Sequence, residues 1–500
     1  MNDLILQIFF FAGCCLIYFV SAKMYYANKI QNAVILILLA GLILRIFTSC
    51  DFYLHHWDER YHALVAKNMI SHPMVPTLYN DPILPFNYQE WYNSNIFVHK
   101  QPLPLWLMAG SMSVFGVNEI AMRLPGILLS TLAIFLTFQI GKYFFNEKVG
   151  YIAAFLQSIN GLVIELAAGR VATDHYDSYF LFFIELAIFL SIKFAVTQKI
   201  VFNIFAGIAI GFAILTKWLP ALIVFPIWLL ILQNSGNFTF KKLTAHFLVL
   251  SFICVITFLP WQIYIAQMWP LETAFEKSFN RMHITQVLDG RGGAWWYFID
   301  RIRINYGELI YIPIIWFIYQ LTKKIKDRKM LALFIWAFVP IIFFSLVKTK
   351  MQGYILFVSP ALFIITGSFI YQFSQVQFNS SKKYFQYIIV ATMLLLPFRY
   401  MLERTKLFSS KDRSPVWVSE LKNLDEKNLE NGVLFNYSRP IEAMFYTNLT
   451  AYPQLPDINL ILELQTKGYK ILINDNGSIP PEMLNLKGII IKKIKTPDSN

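Results

Sequence analysis

Residues 57–104 open with WDERYHALVAKNMISHPMVPTLYNDP and close with VHKQPLP. The stretch is a polar loop set between long apolar segments, and it decides how the rest of the chain is read. Near its start stands an adjacent acid pair, Asp58-Glu59, directly after His55-His56-Trp57. Near its end stands one basic residue, in His99-Lys100-Gln101-Pro102. Tyr61–Met69 is an amphipathic stretch suited to lie along a membrane interface and fix the depth of the acid pair. Acids and a lysine on one early loop of a membrane chain point to chemistry at the membrane surface.

The surrounding chain is apolar. Of its 500 residues, 56% are hydrophobic and 17% aromatic, and the mean hydropathy is +0.49. Repeated apolar runs near the ~20 residues that cross a bilayer core read as transmembrane helices. A net charge of +13 would suit a nucleic-acid binder. Here the Lys and Arg residues sit in short clusters between apolar runs, the footprint of membrane topology, so membrane lipids and not nucleic acid are the expected surroundings. Cys14, Cys15, Cys50 and Cys254 all lie in or beside apolar segments and form neither a disulfide framework nor a CxxC metal pattern. Phe11-Ala12-Gly13-Cys14 loosely resembles a lipoprotein cleavage box. No basic residue precedes it and Asp3 opposes such a leader, so the first helix is expected to be retained.

Twelve spans are expected: 4–22, 31–49, 120–141, 149–167, 176–196, 200–217, 219–232, 243–262, 306–321, 330–347, 352–372 and 384–400. The Pro pair and short length of PLPLWLMAGSMSVFG, residues 102–116, argue for an interfacial helix there. With the N-terminus outside, the cytoplasmic connections carry 14 of the 20 lysines in the first 400 residues, including the KKIKDRK cluster at 323–329. The opposite face then collects the 50–118 loop, the 168–175 turn, the Lys217 turn, the 263–305 loop and the Lys348–Lys350 turn. From residue 401 charge and Asn content rise. Short β-like runs at Val433–Asn436, Lys470–Asn474 and Gly488–Ile494 alternate with helical patterns such as Asp457–Thr466. The expected architecture is therefore an all-α polytopic membrane domain, 1–400, followed by a small α/β extracytoplasmic domain, 401–500. No GxGxxG or GxxxxGK[ST] occurs, so a nucleotide cofactor has no support.

Several residues on the outer face could carry chemistry. Asp58 or Glu59 could act as a general base or help hold a metal, and His55 and His56 could join such a site. Asp174, two residues before an apolar span, reads equally as a functional acid or a helix cap, while Asp177 reads as a cap or a solvated acid. Lys100, Lys217, Arg281, Lys348 and Lys350 are cations where few are expected, and Tyr354 follows Lys350 on the same helical face. Together they suit an anionic headgroup, phosphate above all.

These residues also carry a resemblance. Trp57-Asp58-Glu59, His99-Lys100-Gln101-Pro102-Leu103 with Trp106-Leu107, Phe115-Gly116, and Arg123-Leu124-Pro125 occur in order. So do Asp174, Leu215-Thr216-Lys217 with Pro220, Pro260-Trp261 with Arg281, and Phe344-Ser345 through Thr349-Lys350 to Tyr354-Ile355-Leu356. The chain resembles the membrane-embedded, polyprenyl-phosphate-sugar-dependent glycosyltransferases of the GT-C fold. The nearest branch holds bacterial aminoarabinose–lipid A transferases and protein O-mannosyltransferases. The resemblance implies transfer of a sugar from polyprenyl phosphate, undecaprenyl phosphate in a bacterial inner membrane, to a lipid, protein or glycan acceptor on the periplasmic face. It implies Asp58 as base, Glu59 and Asp174 orienting the acceptor or binding a divalent cation, and Lys100, Arg281 and Tyr354, with Lys350, on the donor phosphate. The family's tyrosine after the acid pair aligns with His62 by counting, so a phosphate contact falls to Tyr61 or His62. Gln101 replaces a Pro of the family pattern, the Leu215–Pro220 turn lacks the Gly of the pattern, and helix 4–22 precedes the span that usually opens the fold. A secondary transporter or lipid flippase is the competing reading, with Glu165 and Glu185 as its nearest intramembrane acids; a non-catalytic envelope scaffold is the third.

Overall fold

The computed structural model describes residues 2–171, 175–378, 380–408, 412–424, 429 and 431–496. Among them, nine helices are long and apolar enough to cross a membrane: Gln7–Tyr26, Ile30–Ser49, Glu119–Phe144, Tyr176–Thr197, Ile200–Lys217, Phe240–Met268, Arg328–Leu346, Gln352–Gln375 and Lys383–Thr405. The bent pair Glu147–Ser158 and Gly161–Ala167 passes the same test only when its two pieces are taken together. The two remaining expected spans are shorter helices, Leu219–Ser235 and Tyr311–Lys323. This is a multi-pass membrane protein. Helix Pro102–Phe115 has 14 residues, about 21 Å at ~1.5 Å per residue, and is too short for a hydrocarbon core of ~30 Å.

The span expected to run unbroken over 149–167 bends by 51° instead. Asn160 leaves helical geometry and its side chain accepts from the Val163 N–H at 3.5 Å, capping the second piece. The neighbouring glycine explains why the bend sits there. A Cβ on Gly161 would lie 3.0 Å from the Met401 Cα and the Tyr400 carbonyl, so a larger residue would push helix Ser380–Thr405 back by a few tenths of an ångström. From that helix Arg404 reaches Glu165 at 2.7 Å.

Small residues set other close approaches, as expected where packing rather than hydrophobicity joins helices in lipid. A Cβ on Gly150 would stand 2.5 Å from the Phe138 carbonyl, and one on Gly141 would stand 2.9 Å from the Gly150 Cα.

The chain divides into two compact units. The first comprises Met1–Ser49, Lys100–Pro104 and Pro125–Ser410; the second comprises Cys50–His99, Leu105–Leu124 and Lys411–Asn500. The boundary expected at residue 401 falls inside helix Ser380–Thr405. The second unit holds a four-stranded, wholly parallel sheet of β1 (Gly432–Phe435), β2 (Thr450–Ala451), β3 (Lys470–Asn474) and β4 (Ile489–Lys492), in the order β2-β1-β3-β4. Three strands match the expected runs; β2, two residues long, had no sequence signal. Parallel pairing needs crossovers, supplied by helices Pro440–Tyr446, Ile458–Thr466 and Pro481–Leu484. Val433, Phe435, Ile471 and Ile473 are fully buried and pack with Ile461 and Leu464 of the middle crossover. Tyr79, Ile83 and Leu84 from the early loop pack on the same core. That loop and the C-terminal segment thus share one hydrophobic interior.

Replacing Gly150 by Val is expected to lower the thermal midpoint of the purified protein, because the added methyls meet backbone that cannot move aside, at a cost of about 1–3 kcal/mol. A midpoint equal to that of the wild type would show that the helices separate freely there.

Candidate active site

Helix Asp58–Asn68 begins at the acid pair. The two acids point to different fates. Glu59 is 2% exposed. Its Oε1 accepts from Arg123 Nε at 2.7 Å, and its Oε2 accepts from Arg123 Nη2 at 3.0 Å and from the His55 backbone N–H at 2.6 Å. The His55 ring lies between two carboxylates, with Nδ1 2.8 Å from Glu59 and Nε2 3.0 Å from Asp51. Burial alone would raise the Glu59 pKa. The Arg123 charge, then His55, outweigh it and hold the carboxyl well below the usual range. The geometry gives Glu59 a structural partner on each oxygen where acceptor or cation contact was expected. Asp58, one residue earlier, is half-buried and takes no hydrogen bond or ion pair among the described residues.

The loop before the pair is fixed from several directions. Arg123 donates to the Asp51 carbonyl at 2.5 Å and to the Tyr53 carbonyl at 2.7 Å. The Tyr446 hydroxyl accepts from the Leu54 N–H at 2.9 Å and donates to Glu119 at 2.7 Å. Burial and the Glu119 charge push the Tyr446 pKa far up, so it remains a donor. On the helix itself Arg60 pairs with Glu442 at 3.2 Å, and the Lys67 ammonium donates to the carbonyls of Met444, Phe445 and Thr447 at the end of helix Pro440–Tyr446. This clamping maintains Trp57 at φ 76°, a left-handed conformation that a bulky residue adopts only under constraint. Strain of this kind collects at functional sites, and here it sits next to Asp58. Tyr61 and His62 lie on the same helix at 8% and 1% exposure. The Tyr61 ring meets Trp91 edge-on, and its hydroxyl accepts from Arg60 at 3.3 Å. His62 packs against Phe97.

In the first unit, the Lys217 turn reaches helix Tyr176–Thr197, and the 348–350 turn meets the 263–305 loop. Lys217 forms an ion pair with Asp177, and its ammonium stands 5.1 Å above the Tyr354 ring. Asp177 is 2% exposed and so is not solvated, His175 rather than Asp177 stands at the N-cap, and Lys217 reaches Asp177 from the next helix end. Trp218 follows at φ 64°, a backbone form natural to glycine. The 348–350 turn runs beside 283–291: Lys348 N–H donates to Ile284 at 3.1 Å, Thr349 N–H to His283 at 3.1 Å, and Lys350 N–H to Arg291 at 2.7 Å. The Lys350 ammonium donates to the Ser345 and Val347 carbonyls at 2.7 and 2.6 Å. Burial and then the Lys348 charge lower its pKa. Arg281 is exposed on helix Pro270–Thr285, just before the paired segment. Lys100 is half-buried. Its neighbour Gln101 accepts from Gln262 at 2.8 Å, a hydrogen bond the family's Pro could not make by side chain.

Asp174 lies outside the described residues. Among those described, no group of three or more His, Cys, Asp or Glu side chains is placed to hold a metal ion. Glu165 is engaged by Arg404 and Glu185 accepts from Thr137 at 2.6 Å, so both acids singled out for transport have polar partners. In the sequence Arg123 stands only as part of RLP, and nothing local marks Asp51, Tyr446 or Asp177 as partners. A buried Glu beside a buried Arg has no local spacing that reveals it.

The family described as dolichyl-phosphate-mannose-protein mannosyltransferase matches residues 99–264 of this chain. An undecaprenyl phosphate-alpha-4-amino-4-deoxy-L-arabinose arabinosyl transferase of Pseudomonas fluorescens is 23% identical over 264 residues, covering 50% of this chain and 44% of that protein. The chain spans about half the length of the curated relatives it matches. The structure superposes on ArnT from Cupriavidus metallidurans, solved with undecaprenyl phosphate, with a TM-score of 0.62 at 15% identity, covering 87% of this chain and 88% of that one. The Archaeoglobus fulgidus oligosaccharyltransferase AglB, solved with an inhibitory peptide and a dolichol-phosphate, gives 0.56 at 14%, covering 86% and 65%. The fold is that of the GT-C proteins the motifs resemble.

Arg123→Leu is expected to destabilise the protein by about 3–5 kcal/mol by stranding the Glu59 charge, and a second change, Glu59→Leu, to recover much of that loss. Chemical unfolding of both variants checks it. Acid tests the same pair. A carboxyl with a depressed folded pKa stabilises above its unfolded value, about 4.3, and that stabilisation is lost as pH falls toward the folded value. The thermal midpoint of the wild type should therefore drop more steeply below about pH 4 than that of Glu59→Gln.

Proposed function

We propose that this GT-C protein is a glycosyltransferase that moves a sugar from a polyprenyl phosphate carrier, undecaprenyl phosphate, to an acceptor hydroxyl or phosphate of the cell envelope. The observation that carries the reading is the contrast within the acid pair. Glu59 is engaged on both oxygens and anchors the helix, while Asp58 stands at the start of that helix with no hydrogen bond or ion pair to its carboxylate among the described residues. A rigidly placed, half-exposed carboxylate without a partner is what a general base requires. The match over residues 99–264 and the shared fold support the same class.

In this reading Asp58 takes the proton from the acceptor oxygen. That oxygen attacks the anomeric carbon as the bond to the carrier phosphate breaks. The phosphate leaves with the electron pair as a phosphomonoester dianion, and the anomeric configuration inverts. Cations placed where the dianion forms lower the barrier. Arg281 and Lys350, with Lys100 and Tyr354, supply that role. Lys217 is less suited because Asp177 already neutralises it. Tyr61 and His62, both buried, keep the helix packed, and Asp174 remains the proposed acceptor-orienting acid. The site faces the periplasm, since the basic connections mark the cytoplasmic side.

Purified protein in liposomes with polyprenyl-phosphate-linked sugars and a membrane extract should release free polyprenyl phosphate. Asp58→Asn, folded equally well, should lose at least about a hundredfold in rate. Equal release by both proteins would remove Asp58 as the base; no release from a broad donor panel would turn attention to sugar or lipid flux.

A further inference from the structure

The first unit holds a cleft of about 170 Å³ where four helix ends meet: those of Glu119–Phe144, Tyr311–Lys323, Arg328–Leu346 and Gln352–Gln375. One wall is apolar, with Phe145, Trp316 and Met330; the rim is polar, with Gln320, Lys324 and Gln372. At ~30 Å³ per water the space holds about six waters, well below the ~300 Å³ where organic-ligand pockets begin. A small, polar head therefore fits, and a sugar-lipid head does not.

The charges say which head. Asp327 lines the cleft, but its carboxylate accepts from the Lys329 and Met330 N–H groups at 3.0 and 3.2 Å and so caps the start of a helix. Lys329 is turned to the Tyr143 carbonyl at 2.8 Å. Lys324 is exposed at the rim, with Lys323, Lys326 and Arg328 close in sequence. The ends of spanning helices mark the level where hydrocarbon gives way to headgroups, and basic pockets between helices at that level take anionic lipids.

We propose that this cleft is a binding site for an anionic phospholipid, with its phosphate on Lys324, the Gln320 and Gln372 amides donating beside it, and its upper acyl chain against Trp316 and Phe145. The site lies on the face that the lysine-rich connections assign to the cytoplasm, and it is independent of the proposed transfer chemistry. Inorganic phosphate shares the charge but lacks the chain that the aromatic wall fits.

Native mass spectrometry of the detergent-purified full chain, with equal amounts of phosphatidylglycerol and phosphatidylcholine of matched chains, tests this. The wild type should retain phosphatidylglycerol preferentially. Lys324→Gln should lower that preference about fivefold, the worth of one lysine near an anionic lipid surface, while Lys383→Gln, exposed on another helix, leaves it unchanged. Phosphatidylglycerol should also raise the thermal midpoint of the wild type more than that of Lys324→Gln. Equal retention of the two lipids overturns the proposal, as does an equal effect of both substitutions. Displacement of phosphatidylglycerol by millimolar inorganic phosphate would assign the cleft to a free anion and overturn it as well.

Discussion

A guanidinium and a carboxylate, both nearly inaccessible to water, organise the second unit. Arg123 and Glu59 meet through two hydrogen bonds, and the guanidinium carries on to the carbonyls of Asp51 and Tyr53. Two charges removed from water are favourable only when nearly every lone pair and proton is satisfied. The network of Asp51, His55, Glu59 and Arg123 meets that condition by fixing the register of the entire 51–59 segment. Its strength lies in specificity: a register shift would strand a buried charge. The strained Trp57 backbone is tolerated because its flanks are pinned on both sides.

The C-terminal segment contributes to this loop through contacts rather than through a ligand motif of its own. Tyr446 holds Leu54 and Glu119, Glu442 holds Arg60, and the carbonyl end of helix Pro440–Tyr446 receives Lys67. The last interaction places a cation where unsatisfied carbonyls and the helix dipole are negative. The parallel sheet, buried on both faces at β1 and β3, gives these side chains a rigid base.

In the first unit the cations are arranged by backbone as much as by charge. The 348–350 turn is paired with 283–291 along three consecutive N–H groups, which fixes Lys350 beside a segment more than fifty residues earlier. Lys217 is brought to the same neighbourhood at the end of its helix, and its partner Asp177 removes the cost of holding an ammonium in a half-buried place. Lys217 is thus held by a carboxylate and Lys350 by backbone carbonyls.

Much of this was legible in the residues. Apolar runs near twenty residues long located the spans, charge clusters ordered the connections, and runs such as KILIN at 470–474 located strands, because hydrophobic burial has a short period written directly into the chain. The acid pair could be found as well, since it stands out in a polar loop. The sequence alone thereby determined the membrane class, most of the elements and a short roster of candidate groups. Tertiary structure decided which of Asp58 and Glu59 is engaged, that Asp177 belongs to Lys217, and that the 147–167 span breaks at Asn160. Each depends on a partner tens or hundreds of residues away, on Arg123, Lys217 and Met401 respectively. Ion pairs and close backbone contacts are set by distances in space, and no periodicity along the chain encodes them.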